Sequence, residues 1–382
     1  MRITYIAPSK IPSLTANSVQ VMKVCQAFTQ LGHTTQLIVP GTESHSWDEL
    51  RDQYGVSTPF QIDWLPARAA LHKLDFSWLA VHTAKKNSAD VIYTRLLWAA
   101  FFALQQNIPV ILEMHEVPTG RFAPRLYRRY LQKSGHRLTV FITRALQNEI
   151  EGTIAVHHNP AETWIAPDGV DLERYAHLPS PAQARQALHL VEAPTALYSG
   201  GFYPGRGLEI LFELAAAFPQ VQFLWVGGQP RVVEEWRARV RSAGLTNVTL
   251  PGFIPNQQLP LYQAAAEILL LPYRQKVAGS SGGDIAAVTS PMKVFEYLAC
   301  GRAILCSDLP VLHEVLNETN ACFYPPDDFP AMSAAFAGLL ADPSLCDRLG
   351  NQALKDGLKY SWKTRMQSIL NTFTAQNEES KL

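Results

Sequence analysis

Residues 290–301 read Ser290-Pro291-Met292-Lys293-Val294-Phe295-Glu296-Tyr297-Leu298-Ala299-Cys300-Gly301. This stretch lies between two apolar segments, at 268–271 and 303–307, that we predict to be strands. Pro291 can occupy the first turn of a helix, because the N–H that proline lacks has no partner there. A strand, a helix and a second strand in this order indicate a parallel sheet with a crossover helix.

The start of this predicted helix has the chemistry of an anion site. Its unpaired backbone N–H groups and the positive end of its dipole suit a diphosphate. Glu296 lies about one and a half turns further along, where a carboxylate can accept two hydrogen bonds from a ribose diol. A buried helix that carries one glutamate near its start would explain the same residues without any ligand.

Strands and helices alternate along the rest of the chain. In the first half we predict strands at 3–7, 35–39, 91–93, 110–113 and 139–142, and helices at 18–31, 75–87, 97–106 and 123–133. In the second half we predict strands at 195–199, 221–226, 248–250 and 268–271, and helices at 208–217, 230–243 and 259–266. The pattern predicts an α/β protein with two Rossmann-like, doubly wound domains. In such sheets ligands bind outside the carboxyl ends of the strands.

Length and composition narrow the class of protein. The 382 residues are enough for two or more domains, and 47% apolar residues is ordinary for a globular chain. The formal net charge of zero gives no global field that would favour nucleic acid, so we expect no nucleic-acid partner.

Five cysteines without a C-x-x-C pair indicate neither a zinc site nor a disulfide framework. Reduced thiols in the cytoplasm are the simplest interpretation. The first residues are predicted to form a strand rather than a signal peptide. No apolar run reaches the roughly 18 residues of a membrane span.

Four segments together resemble the retaining glycosyltransferases of family 4 (group 1), which have the GT-B fold. The stretch at 290–301 resembles the donor-site signature of that family. Three further segments occur in the expected order, namely the domain-linking turn Ala166-Pro167-Asp168-Gly169-Val170-Asp171, the phosphate-binding loop at 199–207 and the base-binding segment at 251–255.

The resemblance implies a domain organisation and an activity. It implies an acceptor-side domain over 1–172, a nucleotide-sugar-binding domain over 173–359, and a cleft between them. An amphipathic helix at 360–376 is expected to pack back on the first domain. The implied reaction moves a sugar from a UDP- or GDP-sugar to a hydroxyl of a glycan or lipid-linked acceptor, with its anomeric configuration retained. We expect no metal and no cofactor other than this co-substrate, because no D-x-D-like motif occurs.

The resemblance also implies a diphosphate clamp made of cations and helix dipoles. Arg206 lies where the family usually has a lysine in the loop that contains Gly200 and Gly201. The family commonly has an arginine at the position of Gly201, so one cation of the usual pair is missing. Lys293 or another basic residue is the expected replacement. A solvated loop charge would also explain Arg206.

Further donor contacts follow from the same resemblance. Family members usually have two glutamates separated by seven residues; Glu296 matches the second, but Val288 stands at the first. Asp284 is the nearest substitute for that missing carboxylate. The other expected donor-binding residues are Phe253 and Ile254, beside the base, and Thr289, Ser290, Met292 and Val294, around the helix start.

In the first half, His115 resembles the family's active-site histidine. It follows the predicted strand at 110–113, and a neutral imidazole there can bond a sugar hydroxyl without adding charge. A packed histidine remains the alternative. Thr15, Ala16 and Asn17 resemble the loop beneath the donor phosphate, although helix capping at Asn17 or Ser18 would explain the loop nearly as well.

Residues 121–133 contain five cations, no acid and interleaved aromatic residues. Such a helix can rest on an anionic membrane surface or bind a lipid-linked diphosphate. This suggests a cytoplasmic protein that associates with the inner face of the membrane. A solvated polar face would explain the charges equally well.

Two other classes of function compete with the transferase. One is a sugar-nucleotide-binding protein without transfer activity, which the departures at Gly201 and Val288 favour. The other is a nicotinamide-dependent dehydrogenase. That class is disfavoured because no G-x-G-x-x-G follows either first strand with an acidic residue about twenty positions on.

Overall fold

The computed structural model describes residues 1–68, 71, 73–278 and 284–379. The chain divides into two compact units. The first contains residues 1–168 together with the segment that begins at Trp362, and the second contains Gly169–Ser361. This division lies close to the boundary predicted at 172/173.

Within the described residues, the first unit contains a parallel sheet of seven strands in the order β3-β2-β1-β4-β5-β6-β7. The strands are β1 (Arg2–Ile6), β2 (Thr34–Pro40), β3 (Gln61–Leu65), β4 (Val91–Thr94), β5 (Val110–Met114), β6 (Arg137–Phe141) and β7 (Thr163–Ile165). The helices are α1 (Ala16–Gln30), α2 (Trp47–Tyr54), α3 (Leu74–Lys86), α4 (Leu97–Gln105), α5 (Ala123–Gln132) and α6 (Arg144–Ile154).

The second unit has a parallel sheet of six described strands in the order β10-β9-β8-β11-β12-β13. The strands are β8 (Thr195–Ser199), β9 (Gln222–Val226), β10 (Val248–Gly252), β11 (Ile268–Leu271), β12 (Ala303–Ser307) and β13 (Cys322–Tyr324). The helices are α7 (Pro181–Ala187), α8 (Leu208–Ala217), α9 (Pro230–Ser242), α10 (Leu259–Ala264), α11 (Met292–Cys300), α12 (Phe329–Ala341) and α13 (Pro343–Gly357).

Each sheet reverses its strand order once, between β1 and β4 in the first and between β8 and β11 in the second. Loops after the strands diverge at such a point and leave a crevice at the carboxyl edge. The central strand β11 is apolar along its whole length, because helices cover both faces of a parallel sheet. The α/β, doubly wound fold predicted from the sequence is confirmed.

The last helix, α14 (Trp362–Glu379), packs against α1 and β6 of the first unit. Its apolar residues Met366, Ile369 and Phe373 are buried, as the amphipathic pattern requires. The His136 ring stacks on Phe373 at 3.9 Å between centroids. Helix α14 therefore belongs to the first unit.

Several short elements escaped the sequence prediction. The polar helices α2 and α7 lack a clear apolar stripe, and β3 and β7 are short edge strands with half-buried side chains. The predicted start of α1 was also wrong. Thr15 is its N-cap and accepts a hydrogen bond from the Ser18 N–H, whereas the Ser18 hydroxyl bonds backward to the carbonyl oxygens of Ser13 and Thr15.

Candidate functional site

The glycine-rich loop after β8 can follow its path only because its key positions lack side chains. Gly207 has φ +84°, and a Cβ there would lie 1.8 Å from the carbonyl oxygen of Pro272. Gly200 has φ +133°, and a Cβ there would lie 2.8 Å from the Lys293 ammonium nitrogen, Nζ. The loop therefore lies directly against the segment after β11 and the first turn of α11.

α11 begins at Met292, and Pro291 is its N-cap rather than its first helical residue. Among the described residues no side chain caps this helix start, so the N–H groups of its first turn are available to a ligand. The Val294 N–H is the exception, because it already bonds the Pro291 carbonyl. The Val294 side chain is buried, so this predicted donor-binding residue contributes packing.

Lys293 is the most unusual residue at this edge. Its Nζ is buried and has no hydrogen-bond partner among the described residues. The ammonium lies 3.8 Å from the ring centroid of Tyr198 and 5.4 Å from that of Tyr273. Burial lowers the pKa of Lys293 well below its ordinary value, and the charge of Arg206 lowers it further, whereas Glu296 opposes both.

Arg206 approaches the same aromatic residue from the glycine-rich loop. Its guanidinium carbon lies 4.7 Å from the ring centroid of Tyr273. Two cations thus contact one ring, and neither Arg206 nor Lys293 has an ion pair among the described residues. The structure therefore brings together the two cations that the sequence analysis assigned to the diphosphate.

Glu296 is oriented by a buried hydrogen-bond chain. The Gln263 side-chain amide donates to its carboxylate at 2.9 Å and lies 3.3 Å from the Ser199 hydroxyl. The Tyr175 hydroxyl donates to the Gln263 carbonyl oxygen at 2.8 Å. Sequence reasoning missed Gln263 and Tyr175. The single amide between Tyr262 and the three alanines at 264–266 is the signal that could have found Gln263.

The remaining donor-side residues lie around the same edge. Phe253 follows β10 and is 38% exposed, with Ile254 half-buried after it. The Asp284 oxygen Oδ1 accepts hydrogen bonds from the backbone N–H groups of Val277 and Ala286 at 2.9 and 3.0 Å. This oxygen therefore binds backbone groups on either side of it in the sequence. Thr289 is buried, whereas Ser290 and Met292 are half-buried at the helix start, and Gly201 is half-buried after β8.

In the first unit, Glu113 at the end of β5 is buried and surrounded by donors. Its Oε1 contacts His115 Nε2 and accepts a hydrogen bond from the Gln20 side-chain amide at 2.6 Å. Its Oε2 accepts from the Tyr93 hydroxyl and, at 2.9 Å, from Arg365 Nη1. Burial alone would raise the pKa of Glu113, but Arg365 and His115 outweigh it and lower the pKa to about 2.

His115 is held at the same edge with 16% of its side chain exposed. Burial lowers its pKa to about 4, and the charge of Arg95 acts in the same direction. The imidazole is therefore neutral at pH 7, as the proposed contact with a sugar hydroxyl requires.

The start of α1 and the loop before it are tied to this edge. Asn17 Oδ1 accepts from Arg95 Nη1 at 2.7 Å and from the Ser9 hydroxyl at 2.8 Å. Thr15 caps the helix, and Ala16 is its first residue. The polar atoms of the predicted phosphate loop therefore hold its shape, and Arg95 is a half-buried cation that sequence reasoning missed.

The basic helix α5 has two distinct faces. Leu126, Tyr127 and Tyr130 are buried, and the Tyr127 hydroxyl lies 2.7 Å from His158 Nε2. The exposed face carries Phe122, which is 68% exposed, and the arginines Arg121, Arg125, Arg128 and Arg129. The tyrosines and Leu126 predicted to lie between the cations therefore belong to the core, and Phe122 is the aromatic residue of the exposed face.

The described residues contain neither a cluster of metal ligands nor a single helix that could span a membrane. In that part of the chain, no group of three or more His, Cys, Asp or Glu side chains is placed to hold a metal ion. No single described helix is long and apolar enough to cross a membrane. Among the described helices, one pair, Phe329–Ala341 and Pro343–Gly357, reaches that length and composition together, with a bend of 98° between its members.

Two family models match the chain. Glycosyltransferase Family 4 matches residues 18–174, and Glycosyl transferases group 1 matches residues 193–342. Each match lies almost entirely within one of the two units. The chain belongs to glycosyltransferase family 4, group 1. The family membership that we predicted from the four sequence segments is confirmed.

Relatives with similar sequences are named as glycosyltransferases, which is consistent with this family. A GDP-mannose-dependent alpha-(1-6)-phosphatidylinositol monomannoside mannosyltransferase of Mycolicibacterium smegmatis is 25% identical over 56% of this chain, and the match spans only 56% of that relative. A phosphatidyl-myo-inositol mannosyltransferase of Mycobacterium tuberculosis is 22% identical, with 98% of this chain and 96% of the relative covered.

The crystal structure of Anabaena HepE in complex with UDP has a TM-score of 0.74 to this chain at 16% identity, with 98% of this chain and 100% of HepE covered. This family 4 chain therefore has the GT-B fold.

Proposed function

We propose that the protein is a retaining glycosyltransferase that moves a sugar from a UDP- or GDP-sugar to a hydroxyl of a glycan or lipid-linked acceptor. The observation that carries the proposal is the buried ammonium of Lys293 beneath Gly200, at the start of α11, where the described residues supply neither a hydrogen-bond partner for Nζ nor a side-chain cap. A buried cation without a partner is costly unless a ligand supplies the counter-charge.

A diphosphate is the anion that fits these residues best. Lys293 and Arg206 would face its oxygens, and the α11 dipole would add positive potential from a third direction. Bond cleavage places negative charge on the leaving diphosphate, so these groups stabilise the transition state more than the ground state. In this proposal they act without a metal ion or any additional cofactor.

Glu296 supports a nucleoside rather than inorganic diphosphate. It lies one turn into α11, the helix that also carries Lys293. The Gln263 side-chain amide donates a hydrogen bond to one of its carboxylate oxygens. The carboxylate can accept from a ribose diol there. Phe253 and Ile254 would flank the base. UDP appears in the HepE structure and GDP-mannose in the name of one relative, so both nucleotides remain within the proposal.

His115 would act on the sugar. Its neutral imidazole can accept a hydrogen bond from a sugar hydroxyl without disturbing the charge balance of the diphosphate. Retention requires no protein nucleophile in the mechanism that the family resemblance implies. There the leaving phosphate assists the acceptor hydroxyl, which attacks from the same face of the sugar.

The direct test is turnover of nucleotide sugars by the purified protein. We expect release of UDP or GDP from one donor class, and product NMR should show the anomeric configuration of the donor. Glu296→Ala should abolish release, whereas Glu318→Ala, which removes an exposed carboxylate of the same unit, should not. Binding without release would support the sugar-nucleotide-binding alternative, and an inverted product would refute retention.

We further propose a lipid-linked acceptor at an anionic membrane surface on the cytoplasmic side. The exposed face of α5 carries cations and Phe122, a combination that suits the headgroup region. The two relatives described above are named for action on phosphatidylinositol derivatives.

Replacing Arg121, Arg125 and Arg129 together by serine should weaken binding to phosphatidylglycerol vesicles roughly 100-fold, since each cation near the surface contributes about 1 kcal/mol. Arg128 is kept because it also donates to the Ile154 carbonyl. The control variant replaces three exposed arginines of α9, Arg231, Arg239 and Arg241. Equal losses in a vesicle sedimentation assay would argue against a specific membrane face.

A further inference from the structure

We propose that Arg365 is a positioning residue for His115: through Glu113, it fixes the imidazole tautomer that carries hydrogen on Nε2 and presents Nδ1 as an acceptor. The inference rests on the proposed role of His115 in sugar transfer. It concerns a residue of α14 that lies 252 positions from Glu113 in sequence.

The guanidinium of Arg365 is fixed in three directions. Its Nη1 donates to Glu113 at 2.9 Å, its Nε donates to the Pro167 carbonyl at 2.7 Å, and its Nη2 donates to the Ala166 carbonyl at 3.0 Å. The side chain is almost fully buried, and the guanidinium carbon lies 5.8 Å from the centroid of the Trp362 ring. An arginine with this many geometric constraints can place a positive charge at one point only.

The positive charge of Arg365 decides the protonation state of Glu113. Arginine can only donate, so the carboxylate oxygen that it meets must accept. The Gln20 amide nitrogen and the Tyr93 hydroxyl also approach as donors. Gln20 is oriented in turn, because its carbonyl oxygen accepts from Arg95 Nη1 at 3.3 Å. Glu113 is therefore an ionised acceptor that has no proton to give.

The tautomer of His115 follows from hydrogen-bond logic. His115 Nε2 contacts Glu113 Oε1, and an ionised carboxylate can only accept, so the hydrogen must be on Nε2. In a neutral imidazole the other nitrogen, Nδ1, then has a free lone pair. Nδ1 has no hydrogen-bond partner within the part of the chain that the structure describes.

This tautomer limits which ligand groups can hydrogen-bond to His115. Nδ1 can accept from a sugar hydroxyl but cannot donate to a carboxylate or a keto oxygen. A sugar with a hydroxyl at this position would therefore be favoured over a uronic acid or keto sugar. The charged groups that act on His115 are Glu113 on β5, Arg365 on α14 and Arg95 after β4.

The test reads the imidazole directly by long-range ¹H–¹⁵N NMR of the full-length protein at pH 7, with His115→Gln to assign the signal. We expect a protonated Nε2 and an unprotonated Nδ1. In Arg365→Gln, the signal should shift toward a mixture of tautomers, and His115 should titrate at higher pH because the opposing charge is gone. Arg365→Lys, which keeps the charge, should restore most of the wild-type spectrum, and Lys363→Gln on the exposed face of α14 should change nothing.

Kinetics provides the second readout. Arg365→Gln should lower kcat roughly 100-fold with a smaller change in KM, as expected when a reacting group is misplaced. A proton on Nδ1 in the wild type, or an unchanged His115 spectrum and titration in Arg365→Gln, would overturn the inference. If Arg365→Gln does not fold, Glu113→Gln is measured in the same NMR experiment. An unchanged His115 tautomer in that variant would overturn the inference. Since NMR needs no substrate, failure of the transferase proposal would be seen separately, as absent turnover with the tautomer in place.

Discussion

Lys293→Met is expected to weaken binding of UDP or GDP about 100-fold and to reduce kcat by a further two orders of magnitude. Removing one partner of a buried, hydrogen-bonded charge pair costs about 3 kcal/mol, and loss of a preorganised group facing developing charge costs roughly 10²- to 10³-fold in rate. Calorimetric titration and donor turnover measure the two effects. The control, Lys355→Met, removes an exposed cation from α13 of the same unit.

The pH dependence of folding stability and of nucleotide binding in the wild-type protein should identify the same lysine. Because the pKa of Lys293 is lowered in the folded state, the unfolded state binds more protons between that lowered value and the ordinary 10.5. Stability from this group therefore rises with pH across that window. A diphosphate favours the charged form of Lys293, so its binding within that pH window should take up a proton that buffers of different ionisation enthalpy reveal. Equal uptake by Lys293→Met would show that another group is responsible.

Gly207→Ala is expected to lower the free energy of unfolding by about 3–4 kcal/mol and to abolish nucleotide binding. A left-handed backbone costs alanine about 1–2 kcal/mol, and the clash between Cβ and the Pro272 carbonyl adds a similar or larger amount because backbone must move. Movement of this loop would also displace Arg206. Urea unfolding and nucleotide titration measure the two results.

Gly244→Ala is the matched control for this prediction. Gly244 also has a positive φ, +69°, but a Cβ there meets nothing within 4 Å among the described residues. It should therefore show the backbone cost alone and bind nucleotide normally. If the two variants lose the same stability, the close approach of the loop to the segment after β11 is not what requires glycine.

The sequence predicted the features that depend on local pattern. Apolar strands such as Ile268–Leu271 and the helix at 292–300 are found as predicted, since periodicity and proline punctuation act within a few residues. The short helices α2 and α7 were missed because they have few apolar positions. Both have a capping box, Ser46 with Glu49 and Ser180 with Gln183, and this signal would have found them.

The interactions that orient the candidate site were not predictable from the chain. Gln263 meets Glu296 across 33 positions, and Arg365 meets Glu113 across 252. Such contacts depend on which helix packs beside which strand, and no local pattern encodes that. The sequence could identify His115 and Glu296 as candidates, but it could not show that a buried partner holds each of them.

The most direct test of the central claim is a crystal structure of the protein with UDP or GDP bound. We expect the diphosphate at the start of α11, within hydrogen-bond distance of Lys293 Nζ and the Arg206 guanidinium, with the ribose hydroxyls on Glu296. A nucleotide bound elsewhere on the chain, or a diphosphate that leaves Lys293 buried without a partner, would contradict the account.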